Sequence, residues 1–170
     1  MSILLFPQGR ATLGRAVATR LLAQGDEVRV LVGPSEADAW RGLGVHVAVG
    51  DPADADLVER AAQNCRSVVL LGRSATDAGV LVAVAEGAAN AGVDRLIACR
   101  GDEKAAVPAL GERWSHGYVI VEQTSGRWPR VKTAPDELVA EAVDAADDLA
   151  GEPRIEVDLT DPLGRASLGL

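Results

Sequence analysis

The sequence predicts one α/β domain: a doubly wound, mostly parallel sheet of six or seven strands with helices on both faces. Three observations carry this. Short β-branched runs alternate with longer stretches of helical spacing along the whole chain, and strict alternation implies right-handed crossovers between parallel strands. The apolar residues, 48% of the total, are nearly all Leu, Val and Ala; Phe6, Trp40, Trp114, Tyr118 and Trp128 are the aromatics. An aliphatic core of that kind suits strands buried on both sides. The 170 residues match one domain and are enough to bury a core without staples. No repeat or linker divides residues 1–170, and residues 161–170 read as a frayed tail.

Each element has its own local reason. Residues 3–6 are short and apolar, hence a buried first strand. Leu13, Val17 and Leu21 recur at helical spacing, and Gly25 ends that helix. Residues 27–32 form the second strand. A short helix over residues 35–41 has Ser35 as N-cap and Asp38 three residues on. Residues 45–49 form the third strand, and a helix runs from Asp54 to about Asn64. Residues 68–71, wholly apolar, are the fourth strand. A long alanine-rich helix over residues 77–91 is closed by Gly92, and residues 95–99 are the fifth strand. Residues 104–112 read as a short helix broken at Pro108, and residues 118–121 as the sixth strand. Gly126, Pro129 and polar neighbours make residues 123–134 a loop. Pro135 suits the first turn of a final helix. Its stripe is Leu138, Val139, Ala142, Val143, Ala146 and Leu149, with Glu141, Asp144, Asp147 and Asp148 on the wet side. Residues 154–158 are the last strand.

Composition excludes several classes. A net charge of −8 argues against nucleic acid, which asks for clustered Lys and Arg, and against an anionic membrane surface. No apolar run approaches the ~20 residues of a membrane span, and the chain opens directly on a strand-like segment, so the expected location is cytoplasmic. Cys65 and Cys99 stand in apolar surroundings without metal-ligand spacing. They read as buried thiols in a reducing compartment.

A parallel sheet of this type takes ligands beyond the carboxyl ends of its strands, where strand order reverses. Here that crevice lies over the first and fourth strands. Several segments are informative in their order: Leu13-Gly14-Arg15-Ala16-Val17 leading to residues 21–32; Gly44-Val45 through Gly50-Asp51; residues 61–69; and Ala91-Gly92-Val93-Asp94-Arg95-Leu96-Ile97. In that order and spacing residues 3–101 resemble the N-terminal half of the short-chain dehydrogenase/reductase superfamily. They are most similar to its atypical, NmrA-like NAD(P)-binding branch, with a Rossmann-like sheet.

The resemblance implies a cofactor, NADP or NAD, and assigns residues to it. A glycine-rich turn after the first strand lets backbone N–H groups and a helix N-terminus meet a pyrophosphate. This chain has Pro7-Gln8-Gly9-Arg10-Ala11-Thr12-Leu13-Gly14. The family glycines fall at Gln8 and Ala11; Gly14 alone is in register and Gly9 is displaced by one. A phosphate would be held by the N–H groups near Leu13 and Gly14 and by the charge of Arg10. The alternative is a turn that only redirects the chain, with Gly14 present for close helix–strand packing. The second strand ends in Gly33-Pro34-Ser35, neither acidic nor basic, and Arg10 with Ser35 facing a 2′-phosphate tilts the reading towards NADP. Asp51 matches a family aspartate that contacts adenine, or else is a turn residue before Pro52. Gly72 and Arg73 follow the fourth strand and line the same crevice, with Arg73 otherwise a surface charge.

No catalytic residue and no metal ligand is assigned. Active members of the superfamily use a Ser, a Tyr and a Lys four residues after the Tyr, the Tyr moving the proton. Here the fifth strand ends in Cys99-Arg100-Gly101. The one tyrosine, Tyr118, is followed four residues later by Glu122, whose charge raises a neighbouring phenol pKa. The lysines are Lys104 and Lys132. His46 and His116 lack partners at metal-ligand spacing. Few residues separate the sixth strand from the last helix, which leaves little material for a deep substrate pocket.

Three functions remain, and whether the chain is an enzyme stays open among them. The first is a degenerate NAD(P)-binding domain acting as a cofactor sensor or protein-partner module, a pseudoenzyme. The second is a small NAD(P)H-dependent flavin- or quinone-type reductase. The third is a scaffold that binds no cofactor and acts through its surfaces. Small residues on a second face of the helix over residues 77–91 also predict a homodimer through that helix, the alternative being that residues 101–117 of the same chain cover that face.

Overall fold

The computed structural model describes the backbone of residues 1–93, 95–100, 116–121, 123–125, 131–149 and 155–170, with side chains at 1–93, 95–99, 134–149 and 157–170. Within them lie β1 (Ser2–Phe6), α1 (Ala11–Ala23), β2 (Glu27–Val32), β3 (His46–Val49), α2 (Ala55–Ala62), β4 (Cys65–Leu71), α3 (Ala78–Asn90) and β5 (Arg95–Arg100). Then come β6 (His116–Val121), β7 (Gln123–Ser125), β8 (Val131–Thr133), α4 (Asp136–Asp148), β9 (Ile155–Asp158) and α5 (Pro162–Ser167). Seven strands form one sheet in the order β3-β2-β1-β4-β5-β6-β9. All six pairings are parallel. The order reverses between β1 and β4, so the crevice lies over their C-terminal ends.

Alternation along β1 divides the core in two. Ile3 and Leu5 pack with α1 and α4 on one face. Leu4 and Phe6 pack with α2 and α3 on the other. All four are fully buried. Helix starts follow the sequence: the Asp54 side chain accepts from Leu57 N, and that of Asp77 accepts from Gly79 N and Val80 N.

Four expectations change. The helix expected over residues 35–41 is a single 3-10 turn, Ala37–Ala39, preceded by Glu36 without a side-chain cap. Trp40, 1% exposed, anchors it in the core. The loop expected over residues 123–134 contains an antiparallel hairpin, β7 with β8. The tail is not frayed: α5 is capped by Asp161, which accepts from Leu163 N, and Leu168 is buried against the α1/α4 side of the core. Asp144 and Asp147 of α4 are not on a wet side but buried, at 8% and 1% exposure. Asp144 accepts from Arg20 Nε at 2.7 Å, and Asp147 accepts from Arg66 and Ser67. The helix expected over residues 104–112 falls outside the described residues.

The second face of α3 is covered by α2 of the same chain. A Cβ at Gly87 would run into Ala55 O and lie 2.8 Å from Glu59 N and 2.9 Å from Val58 Cβ. Val84, in the same helix, is fully buried, while Val82 is 65% exposed. The small residue Gly87 thus brings two neighbouring helices of one molecule together. No helix of the described residues is long and apolar enough to cross a membrane.

Candidate functional site

Two turns meet over the C-terminal ends of β1 and β4. The first is tight: Arg10 N donates to Pro7 O at 2.8 Å and Gly9 has φ +76°, in the left-handed region where a side chain is strained. Arg10 is the N-cap of α1, and no side-chain hydrogen bond caps that end. By helix geometry the N–H groups of Ala11, Thr12 and Leu13 have no acceptor inside the helix.

The second turn follows Leu71. Gly72 has φ +55°, and a Cβ there would meet Arg10 Cγ at 2.5 Å and Gln8 O at 3.1 Å. Only glycine lets these turns touch. Arg73 N donates to Gln8 O at 3.2 Å. Beneath them Ser74 is fully buried. Its Oγ accepts from Leu71 N at 3.0 Å and has Phe6 O at 2.8 Å and Leu71 O at 2.7 Å as acceptors. That hydroxyl ties the end of β1 to the end of β4.

Charge falls unevenly around this point. Arg10 Nη2 pairs with Asp136 Oδ1 at 3.0 Å, joining the first turn to the start of α4. Arg73 is exposed and lies along Gly9: its Nε is 3.4 Å from where a Gly9 Cβ would be. It makes no ion pair among the described residues.

Gly9, Arg10, Gly72 and Arg73 therefore stand together. Leu13 does so through its backbone alone, since its side chain is wholly in the core. Gly14 faces elsewhere: a Cβ there would lie 2.7 Å from Pro7 Cβ and 2.8 Å from Trp40 Cη2. Its small size serves helix–strand packing. Ser35 is exposed beyond β2. Asp51 accepts from Ala53 N at 2.9 Å, the local turn bond, and remains exposed.

Sequence reasoning missed Gln8, Glu36, Ser74 and Asp136. Gln8 Nε2 donates to Leu31 O in β2 at 3.0 Å, and its Oε1 is buried without a hydrogen-bond partner. Glu36 follows β2, with its Oε2 4.0 Å from where a Gly33 Cβ would be. Gln8 had a signal, since it stands at a family glycine position; Asp136, 126 residues from Arg10, had none.

Away from this site, Cys65 and Cys99 are buried free thiols. Burial pushes the Cys65 thiol pKa up, so it stays protonated and unreactive at neutral pH. The described residues hold no group of three or more His, Cys, Asp or Glu able to bind a metal.

The chain matches the family model described as NAD(P)H-binding over residues 9–128. No curated protein sequence matches it. Its fold is shared with gox2253, at TM-score 0.72 and 17% identity, covering 93% of this chain and 69% of that one. It is shared with the anaerobillin reductase ChuY from Escherichia coli O157:H7, at TM-score 0.66 and 15% identity, covering 92% and 96%. AtPrR2, solved with NADP+ and (+)pinoresinol, aligns at TM-score 0.59 and 17% identity over 98% of this chain and 73% of that one. The family match covers most of the chain, so this protein belongs to the NAD(P)H-binding family.

Proposed function

We infer that the chain binds NAD(P)H in the crevice over β1 and β4 and acts as a compact reductase whose acceptor takes hydride without a protein acid. The observation that carries this is the union of the two turns, with the Arg73 guanidinium beside Gly9 and the uncapped start of α1 opposite. Helix N–H groups together with a cation stabilise a dinucleotide pyrophosphate. The residues present fit the cofactor: the turns approach each other as only glycine permits.

When bound, NAD(P)H supplies the hydride; the chain's own residues hold and orient it. A flavin- or quinone-like acceptor carries the remaining chemistry itself, which accords with a sequence lacking the Ser, Tyr and Lys set. Support comes from the anaerobillin reductase ChuY, 96% of whose chain is covered by this one. A chain of this length is therefore no obstacle to a reductase. Arg10 pairs with Asp136 through Nη2. The Arg10–Asp136 pair also favours a second reading, a sensor in which nucleotide on the β1 turn is felt by α4.

Calorimetric titration with NADH and NADPH tests binding, and loss of nicotinamide absorbance with flavin or quinone acceptors tests reduction. Saturable binding with acceptor-dependent oxidation supports the reductase, binding alone the sensor, and neither overturns both. Arg73→Ala is expected to weaken both cofactors by roughly tenfold, the scale of one charge-assisted hydrogen bond. The two losses should match, because both cofactors share the pyrophosphate. Unchanged affinity would return Arg73 to the status of a surface charge.

A further inference from the structure

We propose that Ser74 is a positioning residue of the crevice, whose buried hydroxyl holds the turn after β4 so that the Arg73 guanidinium lies along Gly9; this rests on the nucleotide-binding reading above and deepens it. The ladder between β1 and β4 ends at the pair Phe6 and Leu70. Past that pair the two chains are joined by other means. Ser74 Oγ accepts from Leu71 N at 3.0 Å and lies within donating distance of Phe6 O, at 2.8 Å, and Leu71 O, at 2.7 Å. One residue earlier, Arg73 N donates to Gln8 O at 3.2 Å. Arg73 is therefore fixed on both sides: its own N–H ties it to the first turn, and the next residue ties it to the end of β1.

The chemistry of the position favours this role over packing. Ser74, Ala75, Phe6 and Leu71 are all fully buried, and an alanine would fill most of the same space. A hydroxyl buried there costs free energy unless it is hydrogen-bonded. This one serves backbone groups of both β1 and β4. The residue before Arg73 adds a second reason. Gly72 has φ +55°, and glycine backbone is permissive, so the turn depends on its hydrogen bonds for its shape. What that shape delivers is charge. Arg73 is exposed, with its Cγ 3.8 Å and its Nε 3.4 Å from where a Gly9 Cβ would be. Hydrogen bonds weaken steeply as their geometry departs from linear. A turn released by loss of the Ser74 hydroxyl therefore weakens the hold of Arg73 on a phosphate without touching the ligand itself.

The test is a double-mutant cycle read by calorimetric titration with NADH and NADPH: wild type, Ser74→Ala, Arg73→Ala and the double variant. Ser74→Ala is expected to weaken both cofactors about three- to tenfold, and no more than Arg73→Ala does, because it acts through that residue. In the Arg73→Ala background the same change should shift affinity by less than about twofold. A role in the fold alone gives the same loss in both backgrounds, and that result overturns the assignment. So does a folded Ser74→Ala that binds as the wild type does. Ser74→Cys is the second variant should the alanine form fail to fold: it keeps the volume and only a weak donor, and the same contrast between backgrounds is expected. Failure of both to fold makes the hydroxyl a folding element and overturns the positioning role. Each of these outcomes leaves cofactor binding by the wild type standing. A wild type that binds neither NADH nor NADPH overturns the nucleotide-binding reading itself, which separates the two failures.

Discussion

Asp147→Ala is expected to cost about 3–5 kcal/mol of folding stability, the range for removing one partner of a buried ion pair. Asp147 is 1% exposed at the end of α4. Its carboxylate accepts from Arg66 and from the Ser67 hydroxyl, with Arg95 Nη1 at 3.9 Å. Ser67 is fully buried and Arg95 is 8% exposed. Without Asp147 a buried guanidinium and a buried hydroxyl lose their counterpart, and α4 loses its attachment to β4 and β5. The network is already tight in donors and acceptors: the Nε atoms of Arg66 and Arg95 are buried without hydrogen-bond partners. Denaturant unfolding measures the effect. Asp144→Ala is the control, because its partner Arg20 is 39% exposed and such pairs contribute about 1 kcal/mol or less. A loss at Asp147 no larger than at Asp144 would show that the buried network is dispensable.

These two acids also mark where the sequence stops being legible. The apolar stripe of α4 follows from helical spacing, and Val139, Ala142, Val143 and Ala146 are in the core as that spacing requires. An acid beside the stripe reads as solvated unless its partner is known, and the partners lie 124 and 81 residues away. The strands were legible because a parallel sheet needs runs of Val, Ile and Leu, and β2 occupies the six residues that read as a strand. The β7–β8 hairpin was not, since strands of three residues are too short to show a period. Helix α5 was hidden by Gly164, which marks a close approach: a Cβ there would meet Asp158 O and lie 3.0 Å from Asp158 C.

The crevice was legible to the same degree. Gly9, Arg10, Gly72 and Arg73 follow from the chain order of strand, turn and helix, which puts two turns at one end of the sheet. Their relations do not follow. Nothing local says that Ser74 ties β1 to β4, that Arg10 turns to Asp136, or that Arg73 lies along Gly9. Those facts depend on side-chain directions that only the packed structure sets.

Gly14→Val is the second large effect, and it separates packing from phosphate binding. The resemblance makes Gly14 the one in-register glycine of a cofactor turn, from which a lost pyrophosphate space would follow. The direction of its missing Cβ says otherwise. It points at Pro7 Cβ, 2.7 Å away, and at Trp40 Cη2, 2.8 Å away. Trp40 is 1% exposed and cannot swing aside without opening the core between α1 and β2. A branched side chain there is expected to cost about 1–3 kcal/mol or somewhat more by overpacking, with a melting temperature lower by roughly 2–4 °C for each kcal/mol. Affinity for NADH per folded molecule should change little, because the substituent is directed away from Gly9 and Arg73. Thermal unfolding and calorimetry on the same variant distinguish the accounts: unchanged melting with lost binding would put Gly14 back under the pyrophosphate, whereas lost stability with retained binding fixes it as the contact on which α1 meets β1.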